Sequence, residues 1–271
     1  LPFILVLILS VFAVIPLLNP GFFPMHDDTQ VARVYQMTKA LGDGMFPVRW
    51  VSDLGYGYGY PIYNYYAPFS YYVGGIIGLL GLDALFATKL MMIIGVLLSS
   101  FFMYLLSKQF WGRLGGVLSA FLYLYIPYHA ANIYVRGAVA EFFAYAFLPL
   151  LFYSIYKTYQ NLNRESSQKN YLSKTLPFIM LGGVSFAAII LSHNLTALIV
   201  TPFAVFFASA LLIKNKKINL QGILVFLSIF VLGMLLSAFY FLPAILELKY
   251  TNIFSQVVGG SDTRTLIIRR R

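Results

Sequence analysis

Two aspartates stand side by side at positions 27 and 28, directly after His26 and directly before a stretch with helical spacing. Adjacent carboxylates suit two kinds of chemistry. One can take a proton from an attacking hydroxyl, and together they can offer oxygen ligands to a hard divalent cation such as Mg or Mn. A structural use competes with both, because an aspartate at a helix start caps free backbone N–H groups and complements the positive helix end. Capping occupies one carboxylate only. Asp28 is the better placed to cap, which leaves Asp27 as the stronger candidate base. Further along, HAANIYVRGAVAE (129–141) gathers His129, Arg136 and Glu141 in one short stretch. An arginine fork suits phosphate, since it donates two parallel hydrogen bonds. Arg136 and Glu141 can equally neutralise each other, because an unpaired carboxylate at the mouth of an apolar span is expensive. His193-Asn194, between two apolar runs, is a further polar spot whose ordinary role is to cap the next helix.

The elements that must position these residues belong to a membrane protein. Hydrophobic residues make up 60% of the 271, charged residues 10%, and the mean hydropathy is +0.78. That leaves too little polar surface for a water-soluble globule. The net charge of +10 then reports topology and not a nucleic-acid partner. Cysteine is absent, which removes disulfides, thiolate nucleophiles and cysteine metal ligands. A helical crossing takes about 20 apolar residues, and the candidates are 1–18, 85–106, 114–128, 141–156, 175–192, 195–213 and 221–246. Leu1 already lies inside an apolar run, so the sequence reads as a piece of a longer protein, with 1–18 as an anchor and not a signal peptide. The stretch FSYYVGGIIGLLGL (69–82) reaches only about 21 Å at about 1.5 Å per residue, and is expected to lie in the interface.

Basic residues orient the bundle. Lys108, Arg113, Lys157, Arg164, Lys169, Lys174, Lys214, Lys216 and Lys217 occupy three short connections and hold nine of the nineteen positive charges, which marks those connections as cytoplasmic. The turns carrying His129, Arg136 and His193 are then external, as is the long segment after the first span. The expected fold is all-α and polytopic, with about seven transmembrane helices and a cytoplasmic N-terminus. Its organisation is a first span at 1–18, an external loop with juxtamembrane helices at 19–84, a six-helix bundle at 85–246 and an external tail at 247–271. Arg269, Arg270 and Arg271 run against the external placing of that tail. Within the external loop, Val31, Val34, Tyr35, Thr38 and Leu41 recur on one helical face while Arg33, Gln36 and Lys39 face elsewhere, the pattern of a helix lying on the membrane. YGYGYPIYNYYAPFSYY (56–72) supplies interfacial tyrosines. Among them Tyr63 and Tyr65 suit an aromatic belt or a sugar-ring platform.

An N-terminal span, an acidic pair just past it, an amphipathic helix, an aromatic and proline-rich segment and an interfacial helix together resemble the GT-C superfamily of integral-membrane glycosyltransferases. Asp27-Asp28 matches the Asp-Asp form of that superfamily's acidic motif in the first external loop. More narrowly, GDGMFPVRWVSDLGYGYGYPIYNYYAP (42–68) with RGAVAEF (136–142) resembles a bacterial membrane-protein family labelled as related to 6-pyruvoyl-tetrahydropterin synthase. The label is not an activity. Pterin synthases are soluble and hold zinc with three histidines, whereas His26, His129 and His193 sit on separate turns without close ligand spacing.

The GT-C resemblance implies a sugar donor carried on polyprenyl phosphate and transfer to a hydroxyl acceptor at the outer face of a bacterial cytoplasmic membrane. It implies Asp27 or Asp28 as base, with a divalent cation on the pair in some members. His26, His129, Arg136, Glu141, His193, Tyr63 and Tyr65 are the candidate binding residues, expected to line one outer cavity. The partners implied are a lipid-linked sugar and membrane lipids. Two other classes share the composition: a lipid or solute transporter, or flippase, and a non-catalytic membrane scaffold. No internal repeat of the transporter kind is visible, although Pro149, Gly182-Gly183 and Pro243 can bend helices. The absence of a glycine-rich phosphate loop with a lysine argues against a nucleotide-using enzyme.

Overall fold

A computed structural model describes residues 2–164, 171–214 and 220–251. Lys169, Lys216, Lys217 and the tail from 252 onward, with its three terminal arginines, lie outside the described residues.

Apart from one isolated bridge between Val51 and Tyr60, the regular structure among the described residues is helical. In chain order come α1 (Pro2–Leu18), α2 (Gln30–Gly42), α3 (Ile62–Tyr65), α4 (Phe69–Leu79), α5 (Ala84–Tyr125), α6 (Pro127–Ala130), a π-helical turn (Ala131–Arg136), α7 (Val139–Arg164), α8 (Tyr171–Ser192), α9 (Asn194–Lys214) and α10 (Leu220–Leu246). Five of these, α5 and α7 to α10, are long and apolar enough to cross a membrane; α1 and α4 are shorter apolar helices.

The difference between five and the expected seven has two sources. α1 has 17 residues, slightly short of a full crossing. The runs 85–106 and 114–128 join without a loop in α5, interrupted only at Gly112, which stands at φ +68°. Glycine adopts that left-handed backbone without steric penalty, and the chain doubles back there. A side chain on Gly116 would lie 3.0 Å from Lys108 Cβ and from the Tyr104 ring, and Val117 and Ala120 bury against Tyr104 and Val6. α5 is thus a helical hairpin. Asp83 caps its start, accepting from the Phe86 N–H at 3.0 Å.

α1 runs antiparallel to the first arm of α5. Ser10 and Ser100 share a hydroxyl hydrogen bond of 2.8 Å, and at the other end buried Lys89 donates to the Asn19 carbonyl. α7 is the central helix, packed on α5, α8 and α9, with Phe142, Phe143, Ala144, Leu151 and Ile155 fully buried. Small residues bring α8 close to α10, where Gly182 and Gly183 face Ile229 and Leu232. The outer faces are apolar too: Leu198 is 72% exposed and Phe206 74%. An apolar exterior around an apolar interior suits a lipid environment.

The segment between α1 and α5 forms a cap built on α2 and α4. α4 has 11 residues, about 16 Å of helix. Its Gly74, Gly75 and Gly78 leave room for Val34, Met37 and Thr38 of α2. The buried face of α2 differs from the expected one. It carries Gln30, Val34, Gln36, Met37 and Ala40, Tyr35 turns outward at 52% exposure, and Arg33 turns inward with its side chain 15% exposed. Arg33 is stable there because Asp27 and two tyrosine rings receive it, a pairing that apolar spacing does not reveal. On the outer side of α2, Asp53 accepts from Gln36 at 2.9 Å and from Lys39 at 2.7 Å. The Lys39 and Gln36 bonds pull the Asp53 carboxyl down to about 2. α3 is tied to the far side of the bundle: Asn64 donates to Glu247 at 2.7 Å, and Tyr240 donates to the Tyr65 carbonyl at 2.9 Å.

Candidate functional site

The stretch that follows α1 is clipped, backbone to backbone, onto the end of the π-helical turn. The His26 N–H donates to the Val135 carbonyl and the Asp27 N–H to the Arg136 carbonyl, each at 2.9 Å. Gly137 makes this approach possible. It stands at φ +67°, ending the turn in the left-handed conformation, and an added Cβ would lie 2.5 Å from both the Asp27 carbonyl oxygen and the Met25 sulfur. Gln30, fully buried, secures the clip by donating to the Gly137 carbonyl at 2.7 Å and accepting from the Tyr71 hydroxyl at 2.7 Å. The π-helical geometry fits this duty, since such turns recur where a helix is distorted to build a site.

The clip opens a cavity of about 230 Å3 whose polar lining is His26, Asp27, Tyr66, Arg136, Glu141 and His193. Asp27 is oriented on both oxygens: Oδ1 accepts from the Thr29 hydroxyl at 2.7 Å and Oδ2 from Arg33 Nη1 at 2.8 Å. The Arg33 guanidinium lies 4.5 Å from the centre of the Tyr66 ring, a cation–π contact, and also donates to the Tyr71 hydroxyl at 3.1 Å. Across the cavity Glu141 receives three donors. Tyr128 and Tyr145 hydroxyls reach Oε1 at 2.7 Å each, and Arg136 Nη1 reaches Oε2 at 2.9 Å. Arg136 makes its side-chain hydrogen bonds through Nη1, to Tyr128, Asn132 and Glu141. Its Nη2 and Nε remain on a side chain 46% exposed.

His193 closes the first turn of α9. Its Nδ1 accepts from the Thr196 N–H at 3.3 Å and pairs with the Thr196 hydroxyl at 2.8 Å. On this hydrogen-bond network the neutral ring carries its proton on Nε2, the nitrogen left for the cavity. Burial lowers the His193 pKa; Glu141 opposes that shift and Arg136 adds to it.

Of the residues singled out in the sequence, the fold brings His26, Asp27, Arg136, Glu141 and His193 to one cavity and leaves Asp28, His129, Tyr63 and Tyr65 outside its lining. Asp28 is exposed and does not cap: α2 starts at Gln30 behind Thr29, with no side-chain cap bond. His129 is buried behind the site at 3% exposure, with Tyr123 4.6 Å and Tyr145 5.9 Å away between ring centres. Burial pushes its imidazole down to about 4. Tyr63 supports α2 by donating to the Arg33 carbonyl at 2.6 Å, and Tyr65 donates to the Glu247 carbonyl at 3.1 Å. Tyr66, Arg33, Tyr128 and Tyr145 complete the site without having been singled out. Tyr66 lay within the aromatic stretch 56–72 and Tyr145 one helical turn from Glu141, whereas Arg33 and Tyr128 carried no such signal.

Among the described residues no group of three or more His, Asp or Glu side chains could hold a metal ion. The Asp27–Asp28 pair does not fit a shared cation either, since Asp27 faces Arg33 and Thr29 while Asp28 stands outside the cavity.

Helical in its regular structure throughout the described residues apart from one bridge, with five apolar helices of crossing length, the chain has the architecture of a polytopic membrane protein. Residues 63–257 match the family described as 6-pyruvoyl-tetrahydropterin synthase related domain; membrane protein, and the chain belongs to that family. It is 26% identical over 269 residues to a protein of Lactococcus lactis subsp. cremoris described as "Uncharacterized protein". The alignment covers 96% of this chain and 41% of that protein, so the chain spans less than half the length of the relative it matches. No solved structure matches the chain.

Proposed function

We propose that this chain carries the donor and base site of a membrane glycosyltransferase, which moves a sugar from a polyprenyl-phosphate donor to a hydroxyl acceptor at the outer face of a bacterial cytoplasmic membrane. The observation that carries this reading is the facing of Asp27 and the Arg136–His193 side across one cavity of about 230 Å3. Asp27 takes the proton of the acceptor hydroxyl as its oxygen forms the new bond to the anomeric carbon. The bond from that carbon to the phosphate oxygen breaks at the same time, and the phosphate leaves with the electron pair. Arg136 Nη2 and Nε and His193 Nε2–H donate to the departing phosphate. Thr29 and Arg33 fix the carboxylate so that the base is positioned before substrate arrives. Tyr66, over Arg33, offers a ring face to the sugar.

This reading takes α1 and both arms of α5 as crossings, which with α7 to α10 makes seven, with the N-terminus cytoplasmic and the cavity outside. The partners are the lipid-linked sugar and the surrounding lipids. Proteoliposomes given a radiolabelled polyprenyl-phosphate sugar and an acceptor extract test the proposal. Label is expected in the acceptor fraction only when protein is present. Movement of lipid or solute across the vesicle without transfer would overturn it in favour of a transporter.

A further inference from the structure

The connection from α2 to α3 turns an aromatic surface outward. Tyr56 is 101% exposed, Tyr58 88% and Phe46 76%, with Trp50 and Tyr60 exposed beside them. The display is built and not a loose loop. Val51 and Tyr60 exchange two backbone hydrogen bonds, of 3.0 and 2.9 Å, and the Gly59 N–H donates to the Leu54 carbonyl at 3.0 Å. The Trp50 indole lies so close on Gly59 that an added Cβ would overlap the ring. Tyr56 stands at φ +59°, a left-handed backbone that a bulky side chain rarely adopts. Beneath the turn Val48 and Val51 are buried, and the Val48 N–H donates to the Tyr72 hydroxyl at 2.8 Å. A hairpin fixed to the cap thus holds its rings outward.

Charge and depth identify what those rings meet. Between 44 and 60 the charged residues are Arg49 and Asp53. Asp53 pairs with Lys39 at 2.7 Å, both exposed, which marks the water side of the hairpin. Arg49 Nη2 donates to the Phe239 carbonyl of α10 at 3.3 Å. That carbonyl is open to it because Pro243, four residues on in the helix, has no N–H to give. Phe239, Leu242 and Leu246 share one exposed face of α10. At about 1.5 Å per residue Leu246 lies about 10 Å beyond Phe239, and charge resumes only at Glu247 and Lys249. The apolar exterior of α10 therefore continues past the level at which the hairpin docks. A bilayer that covers this face reaches the hairpin as well.

We propose that residues 45–60 form a membrane-seated hairpin, with Phe46, Trp50, Tyr56, Tyr58 and Tyr60 among the lipid headgroups at the C-terminal end of α10. The cap is then anchored to the bilayer as well as to the bundle. Rings with an apolar body and a wet tip suit the headgroup layer, and the open backbone groups of a turn keep it out of the hydrocarbon. Tyr63 and Tyr65 do not take this part, since their hydroxyls are bonded within the protein. The proposal depends neither on the transfer chemistry nor on which leaflet is the outer one.

The test is fluorescence of the intact protein in phosphatidylcholine vesicles. The chain has two tryptophans, so Trp111→Phe leaves Trp50 as the sole indole. The lipid carries a nitroxide on the headgroup, at acyl carbon 5 or at acyl carbon 12. Quenching is expected to be strongest for the first two, placing the ring about 12–18 Å from the bilayer centre, near the edge of a hydrocarbon core about 30 Å thick. Tyr56→Asp combined with Tyr58→Asp is expected to lower that quenching roughly twofold or more and to admit aqueous iodide. Aspartate tolerates the left-handed backbone at 56. Strongest quenching at carbon 12 would overturn the proposal. So would free access of iodide without lipid-borne quenching, the result expected of a surface for a soluble glycan or protein, and so would unchanged quenching in the folded double variant. If the double variant fails to fold, the depth profile of Trp50 decides. Subtracting the signal of Trp50→Phe from that of the unaltered protein gives the same profile without Trp111→Phe.

Discussion

At the scale of single residues, one aspartate of the pair is built into the protein and the other is not. Asp27 has a backbone bond, a hydroxyl donor and a guanidinium partner, whereas Asp28 is exposed beside it. The sequence expectation that Asp28 caps α2 is not met, since α2 begins two residues later behind Thr29 with no side-chain cap bond. Helix ends are set by where backbone bonds close, and one residue of slip changes which side chain can cap. His129 shows the converse error. It looked like a binding residue on an external turn and is a buried ring among aromatic neighbours. Because burial takes its pKa from 6.5 to about 4, the unfolded chain binds a proton below about pH 6.5 that the folded protein refuses. Its contribution is intact above that pH and is lost as the pH falls towards 4. Thermal unfolding in detergent should therefore show stability dropping across that interval, and His129→Phe should flatten the drop. An unchanged slope in that variant would contradict the buried, neutral ring.

At the scale of elements, the site depends on a close approach that no side-chain pattern announces. The segment 25–27 meets the π-helical turn through main-chain bonds, and the single visible trace in the sequence is Gly137 inside RGAVAEF. Gly137→Ala brings a methyl group to 2.5 Å from the Asp27 carbonyl oxygen at φ +67°, and is expected to destabilise by about 1–3 kcal/mol. The loss should be read as a lower detergent melting temperature, and a melt equal to the unaltered protein would remove the clip from the account. α2 and α4 make the same point on a smaller scale. The glycines of FSYYVGGIIGLLGL marked a short apolar helix, and their purpose became visible only with α2 lying on them. Gly75→Leu, placed against Met37, should separate the two helices and cost about 1–3 kcal/mol in the same assay.

At the scale of the whole molecule, the membrane class, the helical fold and the apolar runs were legible from composition and from run length, because the bilayer sets both. The hairpin in α5 was not legible as one element. Lys108 and Arg113 marked a break between the runs 85–106 and 114–128, but the turn needs a single left-handed residue, Gly112, and no loop, so the two arms run on as one helical element. The cysteine-free sequence makes the proposed topology directly measurable. Ser52→Cys should react with a membrane-impermeant maleimide on intact cells, and Arg113→Cys, at the α5 turn, only after permeabilisation. The opposite pattern would invert the bundle and put the cavity on the cytoplasmic side. The central claim is chemical, however, and is tested by comparing Asp27→Asn with Asp28→Asn for transfer of labelled sugar from polyprenyl phosphate in proteoliposomes, normalised to folded protein. Asp27→Asn is expected to lose about 100-fold or more, the usual scale for a general base, while Asp28→Asn transfers like the unaltered protein. Equal transfer by all three would contradict it.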